Sequence, residues 1–182
     1  MTKSLPNTAY AVLGLLASGE AMSGYEVRKS AETLRYFYWS PAQSQIYSEL
    51  RRLAARNYVT SELIRQDGKP DKRLYTITAA GLVAFRSWLN ETPVEPTMMK
   101  HAMQLRLFFG QAADPARLTA LLQQFIDDGE AALAQIAIVR EYAELDPDYQ
   151  WQGVVAEWSA AHYTTEVAFA RELLRRLADG AL

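Results

Sequence analysis

The residues of this chain best suited to chemistry are hydrogen-bond donors and fixed cations at helical spacing. Ser44, Tyr47, Ser48 and Arg51 recur at intervals of three and four, with Gln45 and Arg52 beside them. Small hydroxyls, an amide, a phenol and two guanidinium forks are groups that meet base edges and phosphate oxygens, and no carboxylate interrupts that face. Ile46, Leu50 and Leu53 fall together on the other side, an apolar stripe able to anchor the segment. Glu49 turns toward this inner side, where it would not repel a phosphate. Further on, Lys69, Lys72 and Arg73 crowd a short polar stretch. Taken alone, a polar helix face is also what an ordinary solvated helix presents, and a charged turn is common. Their order and spacing together point to a double-helical polyanion as partner.

The elements that must position these groups can be read from caps and periodicity. A first helix spans about Asn7 to Ala17, with Val12, Leu13, Leu16 and Ala17 on one side. Ser23-Gly-Tyr-Glu26 has the spacing of a capping box, and Val27, Ala31 and Leu34 follow it at helical intervals. The third helix is expected to open with Ser40 as N-cap and Pro41 in its first turn, and to end near Asn57, a residue tolerant of the left-handed conformation. Tyr58–Gln66 and Arg73–Thr78 read as two strands joined by Asp67-Gly-Lys-Pro-Asp-Lys72, a tip rich in turn residues. Thr78 caps a fourth helix in which Leu82, Phe85 and Leu89 recur. Pro93 and Pro96 then break the chain.

After this break the sequence reads as helices, at about Met98–Phe109, Pro115–Tyr142 and Trp151–Ala178. The expected fold is therefore mainly α. Residues 1–91 form a winged helix-turn-helix domain (three helices, a two-stranded wing, a fourth helix), and residues 92–182 an all-helical domain. The charge divides the same way: residues 1–91 hold 12 Lys and Arg against 8 Asp and Glu, whereas residues 92–182 hold 7 against 13. A basic N-terminal half beside an acidic C-terminal half places the polyanion-binding role in the former. Phosphate contacts are assigned to Arg51, Arg52, Lys69, Lys72 and Arg73. Base reading is assigned to Ser44, Gln45 and Tyr47, with Ser48 alongside.

Two stretches carry a more specific signal. Tyr38-Trp-Ser-Pro-Ala-Gln-Ser-Gln-Ile-Tyr47-Ser-Glu-Leu-Arg-Arg-Leu53 and Gly68-Lys-Pro-Asp-Lys-Arg-Leu-Tyr-Thr-Ile-Thr-Ala-Ala-Gly81 resemble the recognition helix and wing of the PadR family of bacterial transcriptional regulators. Leu13-Gly-Leu-Leu16 and Ser23-Gly-Tyr25 are similar to the family's words as well. Asn57 departs from the family's usual glycine but serves the same left-handed cap. The C-terminal half resembles, with weaker motifs, the longer helical domain of one PadR branch. The resemblance implies a homodimeric repressor on a palindromic DNA operator, joined through the C-terminal helices and responsive to a small molecule. Dimer geometry is compatible with it, because two recognition helices entering successive major grooves must stand roughly 34 Å apart. A long apolar helix on each subunit is a sensible spacer.

Other chemistries find little support. With no cysteine, disulfides, thiolate metal sites and cysteine nucleophiles are excluded, and a cytoplasmic location is expected. His101 and His162 lack metal-ligand spacing, so neither a metal nor another cofactor is expected. Asp127-Asp128-Gly-Glu130 reads as a solvated face. No nucleophile elbow, Walker loop or dinucleotide glycine pattern occurs, so no enzyme is expected. Hydrophobic residues make up 49% of the 182 and charged residues 22%, ordinary globular usage, and no apolar run approaches the ~20 residues of a membrane span. The apolar stretch from Ala9 to Ala17 reads as the first helix rather than a signal peptide. The aromatic-rich last helix needs a partner surface, and Trp151, Trp158 and Tyr163 are candidates for an effector pocket taking a small aromatic, phenolic ligand. The alternative is a winged helix used only as a protein-docking module, since that fold is not confined to DNA.

Overall fold

The computed structural model describes residues 5–65, 68, 71–96 and 99–181. Two compact units result, one ending at Glu95 and the other beginning at Pro96, so the change falls within the proline-bracketed segment, four residues beyond the expected boundary.

The first unit is built around three helices whose apolar sides meet. Helix α1 (Asn7–Leu15) brings Ala9, Val12 and Leu13 inward, and α2 (Gly24–Glu32) brings Val27 and Ala31. Helix α3 (Gln43–Ala55) contributes Ile46, Leu50 and Leu53, all essentially without exposure. The capping box before α2 forms as its spacing predicts: Ser23 Oγ accepts from Glu26 N–H at 3.2 Å, and Glu26 Oε2 accepts from Ser23 N–H at 2.6 Å. Helix α3 starts later than expected. Ala42, not Ser40, is its N-cap, and a 3₁₀ turn at Thr33–Phe37 with a left-handed Tyr38 (φ 57°) occupies the preceding chain. The side chain that serves the start of α3 is Gln45, whose Oε1 accepts from Ala42 N–H at 3.0 Å. At the other end Asn57 takes the expected left-handed conformation, with φ 58°.

Strands β2 (Val59–Ile64) and β3 (Lys72–Ile77) pair antiparallel, Ser61 opposite Tyr75 and Val59 opposite Ile77. Lys72 thus lies in a strand rather than at the tip, and Lys69 lies outside the described residues. The sheet has a strand that alternation could not reveal. Two residues, Met22 and Ser23 (β1), pair with Tyr75 and Leu74, making three strands in the order β1-β3-β2 around the expected two-stranded wing. A two-residue strand is too short for any period to appear.

Helix α4 (Ala79–Glu91) is capped by Thr78, whose Oγ1 accepts from Gly81 N–H at 3.0 Å and donates toward the Asn57 and Tyr58 carbonyls. Trp88 stacks on Tyr10 with ring centroids 4.9 Å apart, while Leu89 is exposed rather than part of the expected stripe.

The second unit holds α5 (Ala102–Phe108), α6 (Pro115–Leu145) and α7 (Gln150–Ala178). Met98, the expected start of α5, lies outside the described residues. Asp114 caps α6 by accepting from Arg117 N–H at 2.7 Å, and Pro147 opens the 3₁₀ turn that leads into α7. Helices α6 and α7 pack along each other, with Leu118, Leu122 and Ile126 meeting Val167 and Ala170. At 1.5 Å per residue each is over ~40 Å long.

The junction of α3, β2 and α4 is closed at Gly81. A Cβ there would overlap the Tyr58 carbonyl oxygen, which is fixed by its bond from Thr78 N–H at 3.0 Å. Gly81→Ala is expected to destabilise the protein by about 1–3 kcal/mol, the range for forcing atoms into a packed site. Urea unfolding checks this, and an unchanged midpoint would contradict the packing described.

Candidate nucleic-acid interface

Anchoring the inner stripe of α3 determines what its outer face offers. Ser44, Gln45, Tyr47, Arg51 and Arg52 are exposed and Ser48 is half-buried, while Glu49 is only 6% exposed. The placement of the two faces follows the helical spacing. What spacing could not reveal is how far several of these groups are already engaged. Ser48 Oγ donates to the Gln45 carbonyl at 2.9 Å, within its own helix. Gln45 uses its side-chain oxygen at the helix start, which leaves its NH₂ as the outward donor. Arg52 Nη1 lies 2.9 Å from Glu49 Oε1, whereas Glu49 Oε2 is buried without a hydrogen-bond partner.

Helix α3 and the wing border a common groove of about 830 Å³, lined among others by Tyr47, Arg51, Glu26, Lys72, Arg73 and Tyr75. Tyr47 leans on the start of α2, where a Cβ on Gly24 would sit 2.8 Å from its ring and push it aside. Arg73 Nη1 donates to Ser61 Oγ across the hairpin at 3.1 Å. Lys72 Nζ reaches Glu26 Oε1 at 3.4 Å. Among the described residues, Arg51 and Arg73 form no ion pair within 4.0 Å. The structure therefore brings together Tyr47, Arg51, Lys72 and Arg73. Gly24, Glu26 and Ser61 belong to the same groove but escaped sequence reasoning. Ser23…Glu26 carried a visible capping signal, yet nothing in the linear order tied it to a lysine 46 positions away.

The C-terminal candidates are less gathered. Trp151 and Trp158, seven residues apart on one side of α7, are 70% and 68% exposed, and Tyr163 is half-buried about 140° further round the helix. His101 has a structural role: Nδ1 accepts from Gln104 N–H at 3.1 Å at the start of α5, and Nε2 lies 3.2 Å from Glu166 Oε1. Of the acidic cluster, Asp127 and Asp128 accept from Gln123 and Gln124, and Glu130 pairs with Arg171. No helix among the described residues is long and apolar enough to cross a membrane.

Residues 12–87, which hold both the helical core and the wing, match the model of the transcriptional regulator PadR-like family. The matched residues all lie within the N-terminal unit. By its description that family is one of transcriptional regulators. Over 127 residues the chain is 29% identical to the negative transcriptional regulator PadR of Bacillus subtilis, covering 70% of this chain and 69% of that protein. The fold extends through the C-terminal unit. A PadR-like transcriptional regulator from Bacillus cereus matches with TM-score 0.80 at 22% identity, over 95% of this chain and 99% of the other. Bacillus subtilis PadR in complex with operator DNA matches with TM-score 0.76 at 24% identity, over 94% and 99%. The structure of that protein with p-coumaric acid matches with TM-score 0.68 at 23% identity, over 95% and 99%. At these identities the structural likeness shows a shared fold, now including the long helices for which the motifs were weak.

The neighbouring arginines of α3 should separate in a stability measurement. Arg52→Ala would leave a buried carboxylate without its cation, and a loss of about 1–3 kcal/mol is expected. Arg51→Ala removes an exposed group that forms no ion pair among the described residues and should stay within about 0.5 kcal/mol of the parent. Equal midpoints for the two variants in urea would mean that Glu49 does not depend on Arg52.

Proposed function

We propose that the protein is a homodimeric repressor that holds a palindromic DNA operator through its winged helices and releases it when a small aromatic ligand binds. The observation that carries this reading is the continuity of one surface. The outer face of α3 and Arg73 of the wing border the same groove, with the apolar side of α3 wholly buried behind them.

Phosphate neutralisation by Arg51, Arg73 and Lys69 supplies the sequence-independent part of the binding energy. Base discrimination falls to the N-terminal part of α3, where Ser44, the NH₂ of Gln45 and Tyr47 face outward. The negative regulator PadR of Bacillus subtilis, solved with operator DNA and with p-coumaric acid, supports both the DNA and the phenolic part of the proposal. Such a regulator works in the cytoplasm, beside the chromosome.

The exposed Trp151, Val154, Val155 and Trp158 of α7 fit the dimer role, because large aromatics contribute heavily when a second subunit covers them. A ligand acts only if it binds the DNA-competent and released arrangements with different affinity. Phenolic acids are the compounds to titrate, with tryptophan fluorescence and operator release as paired readouts. Binding is expected to lower operator affinity, and Trp158→Ala to weaken the response. Light scattering should give a dimer throughout. Silence across a broad phenolic panel would remove the ligand from the proposal and leave a constitutive repressor.

The DNA assignment is tested by gel shift and footprinting on the region upstream of the coding sequence, at several salt concentrations. Arg51→Ala should weaken operator and random duplex about equally and flatten the logarithmic salt dependence by roughly 0.9. Tyr47→Ala should weaken operator more than random duplex. If both variants affect the two DNAs alike, the division between phosphate and base contacts is wrong. If the parent shows no salt-dependent DNA affinity, the repressor reading falls.

A further inference from the structure

The groove that presents Arg51 and Arg73 also contains a carboxylate fixed in place. Glu26 is the third residue of α2, and its Oε2 accepts from Ser23 N–H at 2.6 Å while Ser23 Oγ accepts from Glu26 N–H at 3.2 Å. This reciprocal cap restricts the side chain and leaves Oε1 toward the wing, 3.4 Å from Lys72 Nζ. The bonds from Ser23, and then the Lys72 ammonium, hold the Glu26 carboxyl below its usual range, so it is anionic at neutral pH. A negative group on a surface offered to phosphates needs a physical account.

We infer that Glu26 limits the grip of this interface on DNA by holding Lys72 as an internal counter-ion, so that Lys72 adds no net phosphate neutralisation. This rests on the DNA-binding reading above. The electrostatics are simple. While the pair holds, its net charge is zero and it displaces no condensed cation; moving Lys72 onto a phosphate would break the pair and leave the Glu26 charge facing the DNA. The lysine predicted from sequence as a phosphate contact is therefore electrically silent, and Arg51 and Arg73 carry the described part of the charge. Because phosphate neutralisation is independent of sequence, silencing one cation weakens random and operator binding about equally and so lowers the overall affinity. Glu26 is in this sense an affinity-limiting residue that need not touch the DNA.

The test compares Glu26→Gln, the double variant Glu26→Gln with Lys72→Met, and Asp71→Asn, all in the full chain, by fluorescence anisotropy on a random duplex across a salt series. Glutamine at the third helical position still accepts from the cap, so Glu26→Gln retains the start of α2. Glu26→Gln is expected to bind random DNA more tightly at low salt. Its logarithmic salt slope should be steeper by about 0.9, equivalent to a roughly 3.5-fold greater loss of affinity between about 50 and 200 mM salt. The double variant should return to the parental slope. Asp71 lines the same groove without an ion pair to Lys72, and Asp71→Asn should leave the slope unchanged. The inference is overturned if Glu26→Gln keeps the parental slope while the double variant is flatter by about 0.9. It is equally overturned if Asp71→Asn steepens the slope as much as Glu26→Gln, since bulk charge would then explain both. A parent with no salt-dependent affinity would instead sink the DNA-binding reading, and this inference with it.

Discussion

Burial of Ile46, Leu50 and Leu53 is the constraint on which the rest of the N-terminal unit depends. A 13-residue helix has little stability alone, so α3 exists because α1 and α2 close over these three side chains. Truncating a buried leucine typically costs 2–5 kcal/mol, a large share of the stability of a small domain. The same burial fixes the rotation of α3 about its axis. With the stripe inward, Tyr47 and Arg51 have no direction but outward, and the polar face becomes a rigid platform instead of a solvated afterthought.

The signals legible in the sequence were the local ones. The Ser23 capping box, the Thr78 cap and the left-handed Asn57 each depend on residues within a few positions, and each is found where its chemistry demands. The start of α3 was misplaced because Ser40-Pro41 is a good helix opening by composition. The chain instead uses the left-handed Tyr38 to turn and lets Gln45 serve the first free N–H. Strand β1 and the Lys72–Glu26 contact were invisible for a different reason. They join segments roughly fifty positions apart, and no local period records that pairing. In the C-terminal unit, helicity was plain from sequence, yet which aromatics belong to the internal packing was not. Trp151, Val154 and Trp158 are as apolar as the buried Val167, and only the packing of α6 on α7 separates the two groups.

Counting basic residues along the sequence overstates the free positive charge of the interface. Arg52 is tied to a buried carboxylate and Lys72 to a capping one, so two of the expected phosphate contacts also serve the fold. Among the described residues, the remaining cations of that set sit on different elements, Arg51 on α3 and Arg73 on β3. Their joint presentation therefore depends on the hairpin being held against the helices rather than on either element alone.

What holds it is the middle position of β3. Because β1 runs directly into α2, the strand that carries Arg73 is laced on one side to β2 and on the other to the residues that cap a core helix. A tilt of the wing must drag the first turn of α2, and with it the glycine on which Tyr47 rests. Helix and ribbon consequently travel as one block, with no inexpensive way to bend one against the other.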